Sequence, residues 1–219
     1  MFRWSPARII AGAFGSISFI GSILLYLPWG HMPGQSITYV DALYTAVSAL
    51  CVTGLSIVDT AAVFNPFGQA ILAVLIQVGG LGVSTMGAGV LLMLGRKVGI
   101  RQRNLIHDTM NLDSYSGVVR FLRTLFATTV FIEVIGAFLG YFVFRRDYEM
   151  MESIGLSIFH SISSFNNAGL TILTKERSME MYAEDPFMLI LTTALVFVGG
   201  LGFIVIRECW VNRFRWRKL

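Results

Sequence analysis

Of the chain's 219 residues, 55% are hydrophobic and only 14% are charged, and the formal net charge is +4. A water-soluble domain of this size covers itself with roughly a quarter charged residues, so a soluble enzyme is excluded as the default, and a mean hydropathy of +0.68 excludes disorder. Cys51 and Cys209 make no disulfide framework and fit no zinc spacing.

In chain order, residues 9–29 form the first apolar stretch that meets the roughly 20 residues needed to cross a hydrocarbon core. It is too long for the apolar core of a signal peptide and is not followed by a small-residue cleavage site. Residues 39–50 are apolar but too short to span, and read as a re-entrant helix followed by the loop Cys51-Val52-Thr53-Gly54-Leu55-Ser56. Residues 68–95 make a second span, 98–117 a linker, and 122–144 a third span. A second re-entrant helix covers 154–165, followed by Asn166-Asn167-Ala168-Gly169-Leu170-Thr171, and the fourth span is 187–206. Trp4, Tyr26, Trp29, Tyr141, Trp210 and Trp216 fall near the ends of spans, as residues at headgroup level do. The fold class is therefore an all-α integral membrane protein with four transmembrane helices plus two re-entrant helices.

Four spans put both termini and the central loop on one side. That side holds thirteen of the 17 Lys and Arg, with only Arg145, Arg146, Lys175 and Arg177 opposite, so the positive-inside rule makes it cytoplasmic. The pI near 9.3 thus reflects membrane topology and not nucleic-acid binding. The outer face carries four bases against nine acids, a net of −5, which raises the local concentration of cations. The expected location is the inner (plasma) membrane, multi-pass, with the basic linker at the lipid headgroups or against a cytoplasmic partner.

The chain is also written twice. Gln77-Val78-Gly79-Gly80-Leu81-Gly82 is echoed by Phe197-Val198-Gly199-Gly200-Leu201-Gly202, and Asn65-Pro66-Phe67 by Asp185-Pro186-Phe187, both at an offset of 120. Gly54-Leu55-Ser56 aligns with Gly169-Leu170-Thr171 at an offset of 115. The units are 1–97, the linker 98–117, and 118–219, each repeat being span, short helix, Gly-containing loop, span. Two spans per copy give both copies the same orientation about an axis along the membrane normal.

Unwound backbone at membrane depth costs several kcal/mol per unsatisfied group unless it is buried in protein or lines an aqueous path. Val52, Thr53, Gly54 and Leu55, with Asn167, Ala168, Gly169 and Leu170, suit an ion filter: small or β-branched residues surround one Gly whose backbone freedom aims carbonyls inward. The preceding short helices point their partially negative C-terminal ends the same way. An ordinary interfacial Gly turn is the alternative, and repetition between the same elements argues against it.

Ser48 to Leu55, Gln77 to Gly82 and Phe159 to Gly169 resemble the first two repeats of the Trk/Ktr/HKT superfamily of potassium transporters, most like the N-terminal half of a bacterial KtrB-type subunit. The resemblance covers nearly the whole chain. It implies potassium uptake through a filter-lined pore, sodium as a possible activator, no bound cofactor, and a cytoplasmic nucleotide-binding ring of the KtrA or TrkA type as partner. Members of this superfamily carry four repeats and this sequence stops after the second. It is therefore expected to be a fragment, or to assemble with further copies or a missing second half. A non-conducting scaffold that joins full-length chains is the alternative function.

Glu133 is the only acid inside a span, where a carboxylate suggests function by default; it could bind a cation or accept a hydrogen bond from a neighbouring helix, and its place in an outer helix favours the latter. Gly79, Gly80, Gly82, Gly87 and Gly89 favour close helix packing, with a hinge as the alternative. Cys51 is expected to be small and packed. His160 with Ser161 and Ser163 lacks a third partner, and no nucleophile, base and orienter set for an enzyme is read anywhere in the chain.

Overall fold

Asn65-Pro66 and Asp185-Pro186 each open a helix, for one reason. Proline pre-sets the first helical residue, and the preceding side chain accepts from backbone N–H groups that have no partner inside the helix. Asn65 Oδ1 accepts from Phe67 and Gly68 at 2.9 and 3.1 Å, and Asp185 Oδ1 from Phe187 and Met188 at 2.9 and 3.1 Å. The structure, a computed structural model, describes residues 6–82, 85–86, 118–173, 179–202 and 205. The described residues are helical and contain no strand, only an isolated bridge between His31 and Phe64.

The helices are α1 (Pro6–Tyr26), α2 (Tyr39–Leu50), α3 (Thr60–Val63), α4 (Pro66–Leu81), α5 (Val118–Phe144), α6 (Met150–Phe165) and α7 (Pro186–Gly200), with single 3-10 turns at Pro28–Gly30 and Met179–Tyr182. In the first half α1 packs on α2 and α4, and α2 on α4; in the second α5 packs on α6 and α7, and α6 on α7. Contact between α4 and α6 joins the halves. One apolar core runs through both, including Phe64, Leu72 and Ile76 from the first and Phe144, Phe159 and Met188 from the second. Outward, α5 exposes Val130, Phe131, Val134 and Phe138, a surface suited to lipid.

Among the described residues two helical segments, Arg8–Tyr26 and Phe121–Phe144, are long and apolar enough to cross a membrane. Within the expected spans 68–95 and 187–206 the described helices are shorter. α4 and α7 have 16 and 15 residues, about 24 and 22 Å at the helical rise and short of a roughly 30 Å core. Gly82 and Gly202 take φ of 82° and 81°, left-handed backbone that a right-handed helix does not contain. After the first break helical bonding resumes, Met86 N–H donating to Gly82 O at 3.0 Å. The short helix expected at 154–165 begins four residues earlier, at Met150, and ends as expected. The linker 98–117, Gly87, Gly89, Lys175, Arg177, Cys209, Trp4, Trp210 and Trp216 lie outside the described residues.

Candidate ion-filter site

α2 starts with a reciprocal cap. Thr38 Oγ1 accepts from Asp41 N–H at 3.2 Å, and Asp41 Oδ2 from Thr38 N–H at 3.0 Å. α6 carries Glu152 in its first turn, and neither helix has a base in its last. Acids therefore offset the positive ends, while the partially negative ends are left uncompensated at the loops that follow.

Both loops leave their helices by the same path. Val52 and Gly54 have φ of 56° and 74°, and Asn167 and Gly169 have 60° and 71°. Left-handed backbone at every second residue breaks the strand-like alternation of direction, and for β-branched Val52 it is a strained conformation. Thr53 N–H donates to Ser48 O at 3.0 Å, and Ala168 N–H to Ser163 O at 2.8 Å. The Ser48 hydroxyl donates to Leu55 O at 2.5 Å, and the Ser163 hydroxyl to Leu170 O at 2.6 Å. Each pair is related by the offset of 115 found in the sequence. The long helices match as well: a methyl group at Gly79 would overlap the carbonyl of Leu50, and one at Gly199 the carbonyl of Phe165.

The halves touch at the loops. A Cβ at Gly54 would overlap the carbonyl oxygen of Ala168, and the Thr60 hydroxyl donates to Thr171 O. Gly169 has nothing within 4 Å of where its Cβ would stand. Thr53, Leu55, Asn167 and Gly169 are exposed, Val52 and Gly54 half-buried, Ala168 and Leu170 buried.

Glu133 is buried and accepts from Asn166 Nδ2 at 3.1 Å, the hydrogen-bonding role favoured for it. Its backbone carbonyl also accepts from Ser161 Oγ at 2.7 Å. His160 Nε2 lies 3.0 Å from Thr192 Oγ1, tying α6 to α7. The packing expected of Cys51 is wrong: the residue is exposed. Its counterpart Asn166 is covered by α4 of the other half, and no described element takes that place over Cys51. The sequence reading weighed Ser163 only beside His160 and Ser48 only within a motif, and missed that both hold loop carbonyls, for which their recurrence at the offset of 115 was the available signal; it also missed the pairing of Gln77 with Asn166, 3.1 Å between Oε1 and Nδ2. Among the described residues no group of three His, Cys, Asp or Glu is placed to hold a metal ion.

The sequence profile of the TrkH cation transport proteins matches residues 6–216. The chain belongs to the TrkH family. It is 35% identical over 211 residues to the Ktr system potassium uptake protein B of Bacillus subtilis, covering 96% of this chain and 46% of that protein. It is 36% identical to the potassium/sodium uptake protein NtpJ of Enterococcus hirae, covering 94% of this chain and 45% of the relative. A Ktr system potassium uptake protein B from Vibrio alginolyticus is 37% identical, with 96% and 45% covered. The chain thus spans a little under half the length of these TrkH-family relatives.

Proposed function

We propose that this chain is the filter-bearing part of a Ktr-type potassium uptake system, built as two tandem helix–pore loop–helix repeats, 1–97 and 118–219, in the plasma membrane. Potassium moves down its electrochemical gradient past the backbone carbonyls of Val52, Thr53, Gly54 and Leu55 and of Asn167, Ala168, Gly169 and Leu170, which stand in for its hydration shell. The carrying observation is that both loops have left-handed backbone at the same two positions and the same serine bond to a loop carbonyl. The uncompensated helix ends favour a cation there, and the acidic outer face draws one in. Further repeats, from a second half or further copies, complete the ring of carbonyls. Both termini and the linker 98–117 face the cytoplasm, where a KtrA-type nucleotide-binding ring is the partner. Sodium is the proposed activator; the name of the Enterococcus relative gives sodium as an ion taken up by that protein.

The test is growth at low external potassium of a bacterium lacking its own uptake systems, transformed with the complete gene product and its ring partner. Rescue is expected, and no rescue overturns the function. In the rescued strain Gly54→Ser and Gly169→Ser should each weaken potassium affinity or selectivity; unchanged uptake in both removes the filter assignment.

A further inference from the structure

Asn166 sits between the last residue of α6 and left-handed Asn167. Its side chain is buried, and Nδ2 donates to Gln77 Oε1 on α4 at 3.1 Å, Glu133 Oε1 on α5 at 3.1 Å and Ile162 O on α6 at 2.9 Å. The Ile162 carbonyl and the Glu133 carboxylate call for the NH2 group here, because a flipped amide would set its oxygen against theirs; its two hydrogens are shared among the three acceptors. The buried Oδ1 has no hydrogen-bond partner and rests against Gly80, where a methyl group would overlap it. One amide therefore touches three helices. On α4 it grips Gln77 and Gly80, three residues apart on one face, directly before the break at Gly82.

The cluster is not a packing device common to both halves. Gly21 abuts Leu75 and Gly136 abuts Leu195, so the outer helices also align at the offset of 115. By that register Glu133 corresponds to Ser18 and Asn166 to Cys51, while Gln77 corresponds to Phe197 at the offset of 120. Cys51 and Phe197 are both exposed. Contacts that both halves need, such as the serine bonds and the Gly79 and Gly199 approaches, occur twice; this one occurs only where the halves meet.

We propose that Asn166 is a positioning residue: held by Gln77 and Glu133, it fixes the second loop against α4 of the first half and so determines how well the backbone around Gly169 discriminates potassium from sodium. This rests on the potassium-uptake reading above. The amide is the last side chain before the left-handed turn, so a loop that loses it keeps the Ser163 bond but loses its tie to α4 of the neighbouring half. Cations of different size are distinguished by the placement of carbonyls, and the released loop is placed against the first half only by the Thr60 bond to Thr171 and the approach of Ala168 to Gly54.

The experiment measures potassium and sodium uptake by the complete gene product in the potassium-uptake-deficient strain, with the amount in the membrane checked by immunoblot. Asn166→Ala should raise the potassium concentration for half-maximal uptake about tenfold and lower potassium-over-sodium discrimination to a similar degree, the scale of a lost hydrogen bond to a charged group. Asn166→Asp sets a second carboxylate against Glu133 and should be at least as harmful. Adding Glu133→Gln removes the like-charge contact and supplies one donor, and should recover part of the discrimination, since the Ile162 carbonyl still faces an oxygen. Unchanged half-saturation and discrimination in N166A, or no recovery in the double variant, overturns the proposal. If wild-type protein moves no potassium, the uptake reading fails, and the cluster is still read by thermal unfolding of purified protein. There Q77A and N166A should be strongly non-additive, and strict additivity overturns the proposal.

Discussion

Gly54 faces the carbonyl oxygen of Ala168 across the boundary between the halves, so closely that a methyl group could not stand between them. Gly169 has the same left-handed backbone, φ of 71° against 74°, but open space in front of it. We predict that Gly169→Ala costs only the conformational strain, about 1–2 kcal/mol, whereas Gly54→Ala adds a backbone overlap and destabilises by clearly more. Thermal unfolding of the two purified variants is the check, and equal losses would refute the asymmetry.

The two serine bonds invite a similar comparison. The Leu170 carbonyl belongs to a buried residue and that of Leu55 to an exposed one, so water can replace the Ser48 hydroxyl more readily than that of Ser163. Ser163→Ala is expected to cost about 1–3 kcal/mol, the range for leaving a buried acceptor unpaired, and Ser48→Ala no more than about 1 kcal/mol. Denaturant titration in detergent decides it; a larger loss for S48A would sink the argument.

Much of this arrangement is legible in the sequence. Residues 39–50 formed the expected helix because Thr38 and Asp41 cap it and a Gly loop ends it, both local signals. The breaks at Gly82 and Gly202 were not legible, since Gly-Gly-Leu-Gly within an apolar run reads equally as a tightly packed continuous helix. Nor was the pairing of Asn166 with Gln77, 89 residues apart in sequence. It lies where the two copies differ in polarity, so the internal repeat carries no trace of it. Local capping and loop chemistry are written in neighbouring residues; contact between the halves is not.

The caps of α4 and α7 differ in charge but not in geometry. The Asp185 carboxyl is held below its ordinary 3.8, chiefly by the Met188 N–H, with the Phe187 N–H and the Arg146 guanidinium at 2.6 Å adding to this against an opposing desolvation. A carboxyl whose folded pKa is depressed contributes stability that is complete above its unfolded value and is lost as pH falls through the folded one. We therefore predict that Asp185→Asn, which copies Asn65, leaves neutral-pH stability nearly unchanged and flattens the decline below about pH 4. Asn65→Ala should cost about 1 kcal/mol at every pH. Thermal midpoints measured across the acid range test both, and an unaltered acid decline in D185N would count against the linkage.

Gly79 and Gly199 differ from Gly155 in what surrounds them. The first two meet backbone carbonyls, while Gly155 is exposed on α6 with nothing within 4 Å. Gly79→Ala and Gly199→Ala should each destabilise by about 1–3 kcal/mol or more, and Gly155→Ala should stabilise by up to about 1 kcal/mol through helix propensity. Unfolding midpoints of the three variants settle the ranking, and a stabilised G79A would exclude the close approach described here.

The interruptions at Gly82 and Gly202 fall three residues after Gly79 and Gly199, where each helix presses on the carbonyl of Leu50 or Phe165. Capped at Asn65 and Asp185 and broken just past that contact, α4 and α7 each run as a regular helix from cap to loop backing and no further. A register shift of either helix would have to move its cap, its close approach and its break together, so the height of each loop is tied to fixed points at both ends of one helix.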